Sequence, residues 1–372
     1  MIYLDHASTT YIYPNLIDTI TFELKWSYGN PSNMYSYGER QKEAIEEARE
    51  RIASVLNCNP NEIFFTSGSS EGNAWALNQG TKCLCSPYEH HNITNNPKSI
   101  KVDTDYLDRC LTMNYNMNNY YKKIYSEYVY SHMLVNNETG EIFLVDDLFE
   151  RAKQLNMFTH CDMTQALGNI SIKLHEHKYL DMATFSGHKI HAPKGVGFCY
   201  IREDKQEKIK PLLYGGIQEK GLRAGTENVP YIVALSYAVC QANKDKLRKW
   251  GHAIKLREAT LDTLGKNGLV EGVDFLVNEG ASNIPSILNL AFKGVEGESL
   301  MLALDNKQIY VGTGSACNTG EMEPSEVLLE MGVPNEFING VIRMSFDLKN
   351  TKEEVIEATT ELVKSYKEFI GE

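Results

Sequence analysis

Between residues 39 and 56 the apolar side chains Ala44, Ile45, Ala48, Ile52 and Val55 recur at helical spacing among charges. That pattern predicts an amphipathic helix. Ile63-Phe64-Phe65-Thr66 then reads as a short strand, followed by Ser67-Gly68-Ser69-Ser70 and a new helix opening at Glu71. Further apolar runs predict strands over 129–135, 157–161, 182–185 and 196–201, with a helix over 144–155 between two of them. Strands alternating with helices predict an α/β domain with a largely parallel sheet. Ligands of such sheets sit at the carboxyl ends of the strands.

The texture changes after about residue 250. A helix through the 250s leads to a strand over 287–292, a helix over 299–304 and a Gly/Ser-rich loop over 312–320. A helix over 325–331, a strand over 341–346 and an amphipathic helix from Lys352 close the chain. This predicts a smaller α+β domain. The Tyr-, Asn- and Lys-rich stretch over 114–128 reads as solvated surface. A length of 372 residues also exceeds what one hydrophobic core usually serves, so two domains are expected.

Composition narrows the function classes. Hydrophobic residues at 42% and charged residues at 23% are ordinary for a globular protein. A net charge of -12 argues against nucleic acid as a main partner, because phosphate backbones need a basic surface. Neither a signal peptide nor a membrane span is evident in the sequence, so a cytoplasmic location is expected. Eight dispersed cysteines without such a leader read as free thiols, and Cys83-x-Cys85 has no second pair at zinc-like spacing, so no metal is expected.

Ser186-Gly187-His188-Lys189 follows a predicted strand. A lysine forms a Schiff base as the neutral amine, which a cleft at strand ends can favour by desolvation. Taken alone, Lys189 reads more readily as a surface lysine in a turn. Asp162 ends the strand over 157–161. A carboxylate there can keep a pyridine nitrogen protonated, the partner that pyridoxal 5'-phosphate (PLP) chemistry requires, or it can cap a helix. Ser67-Gly68-Ser69-Ser70 between strand and helix offers backbone N–H groups and hydroxyls to a phosphate, or a simple N-cap. His90 could lie over a cofactor ring and move protons, but taken alone it reads more readily as a surface or structural histidine. Asn30-Pro31-Ser32 and Asn136-Asn137-Glu138 are turn formers. Arg343, inside an apolar strand, needs an anionic partner: a substrate carboxylate or an internal salt bridge. Cys317 lies among small residues in Gly314-Ser315-Ala316-Cys317, where a thiolate can react.

In that order these segments resemble the cysteine desulfurases, PLP enzymes of the class V aminotransferase group. The resemblance runs from Tyr3-Leu4-Asp5 through Glu89-His90, Asn136-Asn137-Glu138-Thr139-Gly140 and Ser186-Gly187-His188-Lys189 to Arg223-Ala224-Gly225-Thr226 and Ile342-Arg343-Met344. Gly314-Ser315-Ala316-Cys317, followed by Glu323-Pro324-Ser325, resembles the iron–sulfur and nitrogen-fixation branch. The resemblance implies a homodimer of fold-type I architecture. A large domain over 15–250 would hold a mainly parallel seven-stranded sheet, and residues 1–14 with 251–372 would form the smaller α+β domain carrying the Cys317 loop.

By the same resemblance Lys189 would carry PLP, Asp162 would pair with its ring nitrogen, Gln165 would contact the ring hydroxyl and His90 would stack on the ring. Ser69, Ser70, Ser186 and His188 would hold the phosphate, with Thr226 reaching across from the other subunit. Asn30, Asn137 and Arg343 would hold L-cysteine. Cys317 would take its sulfur as a persulfide and pass it to an acceptor, an iron–sulfur scaffold or a tRNA-thiolation protein. His6, Tyr35, Ala192 and a shortened 73–90 segment depart from the family pattern. Competing readings are selenocysteine lysis, transamination of a small amino acid, or an inactive scaffold paralogue.

Overall fold

The computed structural model describes residues 1–116, 120–314 and 324–372. The Cys317 loop, with its expected role, lies outside the described residues. The chain divides into two compact units. One comprises Thr10–Leu134 and Phe143–Lys244; the other comprises Met1–Thr9, Val135–Ile142 and Asp245–Glu372. These bounds differ from the expected cuts near 14 and 250 chiefly in that Val135–Ile142 belongs with the smaller unit.

The larger unit is built on a seven-stranded sheet. Its strands are β1 (Ile63–Thr66), β2 (Lys82–Cys85), β3 (Ser99–Lys101), β4 (Tyr128–Ser131), β5 (Phe158–Asp162), β6 (Met182–Ser186) and β7 (Gly197–Ile201). The order across the sheet is β1-β7-β6-β5-β4-β2-β3. Neighbours pair in parallel except β7, which runs antiparallel to both β1 and β6. Val129, Met182, Cys199 and Ile201 of the sheet pack with Phe64, Trp75 and Leu77 into a dry cluster. Strands buried on both faces carry near-continuous apolar runs, which is why these were readable in the sequence.

Helix Ser36–Leu56 buries Ile45, Ala48, Ile52 and Leu56 and ends on Asn57 in the left-handed region. Its one buried cation, Arg49, meets Glu219 through both guanidinium arms at 2.9 and 3.0 Å. The Phe65 N–H of β1 donates to the same carboxylate. That three-way contact fixes a turn in which Glu219 and Lys220 both have positive φ.

Two element boundaries differ from expectation for local reasons. The strand expected over 129–135 stops at Ser131, although Leu134 N–H still donates to Asp162 O at 3.0 Å. Asn136 then turns the chain, its Oδ1 accepting from the N–H groups of Glu138 and Thr139. The helix expected in the 250s is part of Val229–Lys266. The charged run Lys244 to Lys249 hides its apolar repeat. Part of the stretch read as solvated surface, Tyr120–Tyr125, is helical.

The smaller unit has a four-stranded antiparallel sheet of β8 (Phe275–Val277), β9 (Ile287–Phe292), β10 (Gly312–Thr313) and β11 (Val341–Ser345), ordered β10-β11-β9-β8. Leu288, Leu290, Ile342 and Met344 meet Val355, Leu362 and Tyr366 of helix Lys352–Ile370 in its core. That helix opens on a capping box of Thr351 and Glu354. Ile2–Tyr3 pairs in parallel with Ile309–Tyr310.

Candidate active site

Register fixes what lies at the carboxyl edge of the large sheet. Thr66 pairs with Gly197, and Gly197 with Ser186. Asp162 pairs with Thr184, Ser131 with His160, and Cys85 with Ser131. The ends of β1, β6, β5, β4 and β2 therefore share one edge. From it emerge Ser67-Gly68-Ser69-Ser70, the Lys189 turn, Asp162 and the segment bearing Glu89 and His90.

At the end of β1 the chain turns through Gly68, with φ 155 and ψ -177, a conformation open almost only to glycine. A Cβ on Gly197 would lie 2.5 Å from Phe185 O and 2.7 Å from Gly68 Cα, so β7 and this turn touch backbone to backbone. Helix Ser69–Leu77 starts immediately after it. First-turn N–H groups have no intrahelical acceptor and favour an anion. Ser69 and Ser70 add hydroxyls at that end, and the buried Ser186 Oγ lies 3.7 Å from the point where a Gly68 Cβ would stand.

Asp162 is buried at 6% exposure. Its Oδ1 accepts the Thr164 N–H at 2.9 Å and its Oδ2 the Asn73 amide at 2.7 Å. Asn73 is buried on the sheet-facing side of helix Ser69–Leu77 and also receives the Thr184 hydroxyl. Gln165 is buried three residues beyond Asp162.

Lys189 closes a short 3-10 turn, Gly187–Lys189, directly after β6. Thr10 clamps this turn. Its N–H and Oγ1 both donate to His188 O, and its Oγ1 accepts the His191 N–H at 2.8 Å. His191 sits at φ 68, held by a ring stack on Tyr13 at 4.2 Å. Desolvation, with Lys189 and Lys194 adding to it, lowers the His188 pKa to about 4. His90 is an exposed residue whose Nδ1 accepts the Asn92 N–H at 3.2 Å; desolvation lowers its pKa, while Asp162 pulls it up and Lys189 pushes it down. Both charges thus act on this one imidazole.

Asn30 in the larger unit forms a local turn, its Oδ1 accepting from Ser32 N–H at 2.9 Å. Thr226 is exposed. In the smaller unit Arg343 is buried and engaged. Nη1 donates to Asn137 O at 2.9 Å, while Nη2 donates to Asp5 Oδ1 at 2.7 Å and to Ser8 Oγ at 2.6 Å. Asn137 thus offers Arg343 its backbone, not its side chain. The internal salt bridge weighed from the sequence is present, with Asp5.

Sequence reasoning missed Asn73, Thr184 and Thr10, which hold the Asp162 and Lys189 segments in place. Thr184, a polar residue inside the apolar run over 182–185, was the one available signal. No helix among the described residues is long and apolar enough to cross a membrane.

Known proteins resemble the chain over nearly its whole length. A family model described as aminotransferase class-V matches residues 2–357. The chain is 33% identical to a cysteine desulfurase IscS of Clostridium botulinum, covering 99% of this chain and 96% of that protein. It is 35% identical to a cysteine desulfurase of Nostoc sp., covering 98% and 93%. A solved NifS-like protein superposes with a TM-score of 0.82 at 30% identity, covering 98% of both chains. Another, from Rickettsia africae, gives 0.82 at 27% identity, covering 98% and 99%.

Proposed function

Because the chain belongs to the class-V aminotransferase family, we propose that it is a PLP-dependent cysteine desulfurase, converting L-cysteine to L-alanine with the sulfur received on Cys317. The observation that carries this is the array on one sheet edge: a buried carboxylate at the end of β5 and a clamped lysine turn at the end of β6. The residues fit the cofactor. A glycine-only turn and a hydroxyl-rich helix start suit a phosphate. A buried Asp162, already positioned by two hydrogen bonds, suits a protonated ring nitrogen.

When bound, PLP supplies an electron sink for bonds at the substrate α-carbon. Asp162 would keep the ring nitrogen protonated, Gln165 would contact the ring hydroxyl and His90 would stack on the ring. Ser69, Ser70, Ser186 and His188 hold the phosphate. Lys189 would hold the cofactor through its amine, and as a free amine would move the substrate α-proton. Arg343, Asn30 and Asn137 would hold the substrate, Arg343 through its carboxylate. The Cys317 thiolate attacks the substrate sulfur; that C–S bond breaks, an S–S bond forms, and L-alanine leaves with the proton returned to carbon.

Thr226 would contact the phosphate of a second subunit in a homodimer, a reading supported by the exposure of Tyr214 and Ile217 in the same segment. The persulfide then passes to an acceptor protein, an iron–sulfur scaffold or a tRNA-thiolation protein, in the cytoplasm.

The test is alanine release from L-cysteine by the PLP-loaded protein. Cys317→Ala should reduce it by at least about two orders of magnitude, the scale of losing a nucleophile. Undiminished turnover in that variant would remove sulfur transfer through Cys317 and favour selenocysteine lysis or transamination. No turnover in the unaltered protein would favour a scaffold role.

A further inference from the structure

A buried chain of side chains runs through the sheet behind Asp162. Ser131 Oγ lies 2.8 Å from Glu89 Oε1 and 2.9 Å from His160 Nδ1. His160 Nε2 lies 3.3 Å from Thr184 Oγ1. The Thr184 hydroxyl meets Asn73 Oδ1, and Asn73 Nδ2 meets Asp162 Oδ2 at 2.7 Å. Every member is buried, and Asn73, Ser131, His160 and Thr184 have no exposure at all.

Proton arithmetic gives this chain a direction. The Asp162 carboxylate only accepts, so the Asn73 amide nitrogen faces it; Asn92 Oδ1, on the same nitrogen at 3.1 Å, requires the same orientation. Asn73 Oδ1 then takes the single proton of Thr184. The Thr184 oxygen must accept from His160 Nε2–H. A neutral imidazole protonated at Nε2 is bare at Nδ1 and takes the single proton of Ser131. The Ser131 oxygen then needs a donor, and what stands there is Glu89 Oε1.

We propose that Glu89 is a protonated, neutral carboxylic acid that sets the direction of this relay, making it a positioning residue that holds Asp162 as an anion toward the cofactor. The reading rests on Asp162 being the partner of the ring nitrogen.

Independent features agree. Glu89 Oε2 is buried and makes no hydrogen bond, which a carboxylate would tolerate badly. No Lys or Arg among the described residues pairs with Glu89. Burial, and after it the nearby Asp162 charge, push its pKa well above the usual range. Desolvation lowers the His160 pKa to about 4, so the proton sits on Glu89 rather than making an imidazolium. The other titratable groups facing Glu89 are Cys83 and Cys85 on β2, Tyr130 on β4 and Cys161 on β5. Burial raises the pKa of Tyr130 and Cys161, and the Cys85 thiol, followed by burial, raises that of Cys83.

Two measurements test this. In infrared spectra of the PLP-free protein at neutral pH, the C=O stretch of a protonated carboxyl should disappear in Glu89→Gln. If no such band is lost, Glu89 is ionised and the proposal is overturned. In the loaded protein, Glu89→Gln should keep the cofactor absorption band and the PLP Kd within about twofold, because its amide still donates to Ser131. The near-isosteric Thr184→Val cuts the relay at Asn73 and should shift the band and weaken PLP about tenfold to a hundredfold. Equal effects of Glu89→Gln and Glu89→Leu would also overturn it. An Asp162→Asn protein with unaltered band and Kd would sink the ring-nitrogen reading instead, while leaving the infrared result standing.

Discussion

The ion pair between Arg343 and Asp5 allows the substrate role of Arg343 to be separated from a structural one. Asp5→Asn removes the charge and keeps the shape. With the side chains 9% and 20% exposed and Nη2 to Oδ1 at 2.7 Å, an effective dielectric near 20 suits the pair. The Coulomb attraction is then about 4 kcal/mol at a charge separation of roughly 4 Å. Most of it is offset by desolvation, and an amide oxygen still accepts from Nη2. The net loss of folding stability should therefore be about 1–2 kcal/mol.

The same change leaves the Arg343 charge unbalanced. If Arg343 receives the substrate carboxylate, an attraction stronger by about 1 kcal/mol should tighten binding roughly fivefold. The assay is spectral titration of the PLP-loaded protein with L-alanine, which has the carboxylate but no thiol, alongside urea unfolding. A lower stability with an unchanged or weakened alanine Kd would refute the carboxylate role and leave Arg343 as a structural partner of Asp5 alone.

Two further expectations follow from the fold. His132 is buried, its Nδ1 on Met133 O at 2.9 Å, and desolvation lowers its pKa to about 4. Its folded pKa lies below the unfolded value near 6.5, so the stability it contributes is present above pH 6.5 and lost as pH falls towards 4. The loss is on the order of 3 kcal/mol. Urea midpoints against pH should fall less steeply over that window in His132→Gln, and equal slopes would place the proton uptake elsewhere. Gly197→Ala would press a Cβ onto Phe185 O and Gly68 Cα, so it should cost about 1–3 kcal/mol and weaken PLP binding by opening the turn before Ser69. Wild-type PLP affinity in a destabilised Gly197→Ala would show that this turn does not hold the phosphate.

The α/β class and the strands 63–66, 182–186 and 197–201 were legible because buried strands are written as unbroken apolar runs. So was the placement of Asp162 and Lys189 at strand ends. Of the long helix Val229–Lys266 only the part through the 250s was, since the charged run before it carries no apolar stripe. Strand pairing was not legible either. Nothing in Gly197-Phe198-Cys199-Tyr200-Ile201 states that it runs against its neighbours, because direction is set by how the chain returns to the sheet. Asn73, Thr184 and His160 were invisible as a set, since they meet only through strand register and a helix laid on the sheet. Arg343 was rightly seen to need an anion, but its partner Asp5 is 338 positions away.

The reversed strand β7 also has a consequence for synthesis. β1 is made early, yet β7, its sheet partner, is made more than a hundred residues later. At roughly 5–20 residues per second, Ile63–Thr66 leaves the ribosome on the order of ten seconds before it can pair. Throughout that interval Phe64 and Phe65 form part of an unmated apolar edge in the nascent chain. The turn through Gly68 cannot take its native shape until Gly197 arrives to lie against it, so the hydroxyl-rich start of the helix that follows is among the last features of this unit to be completed.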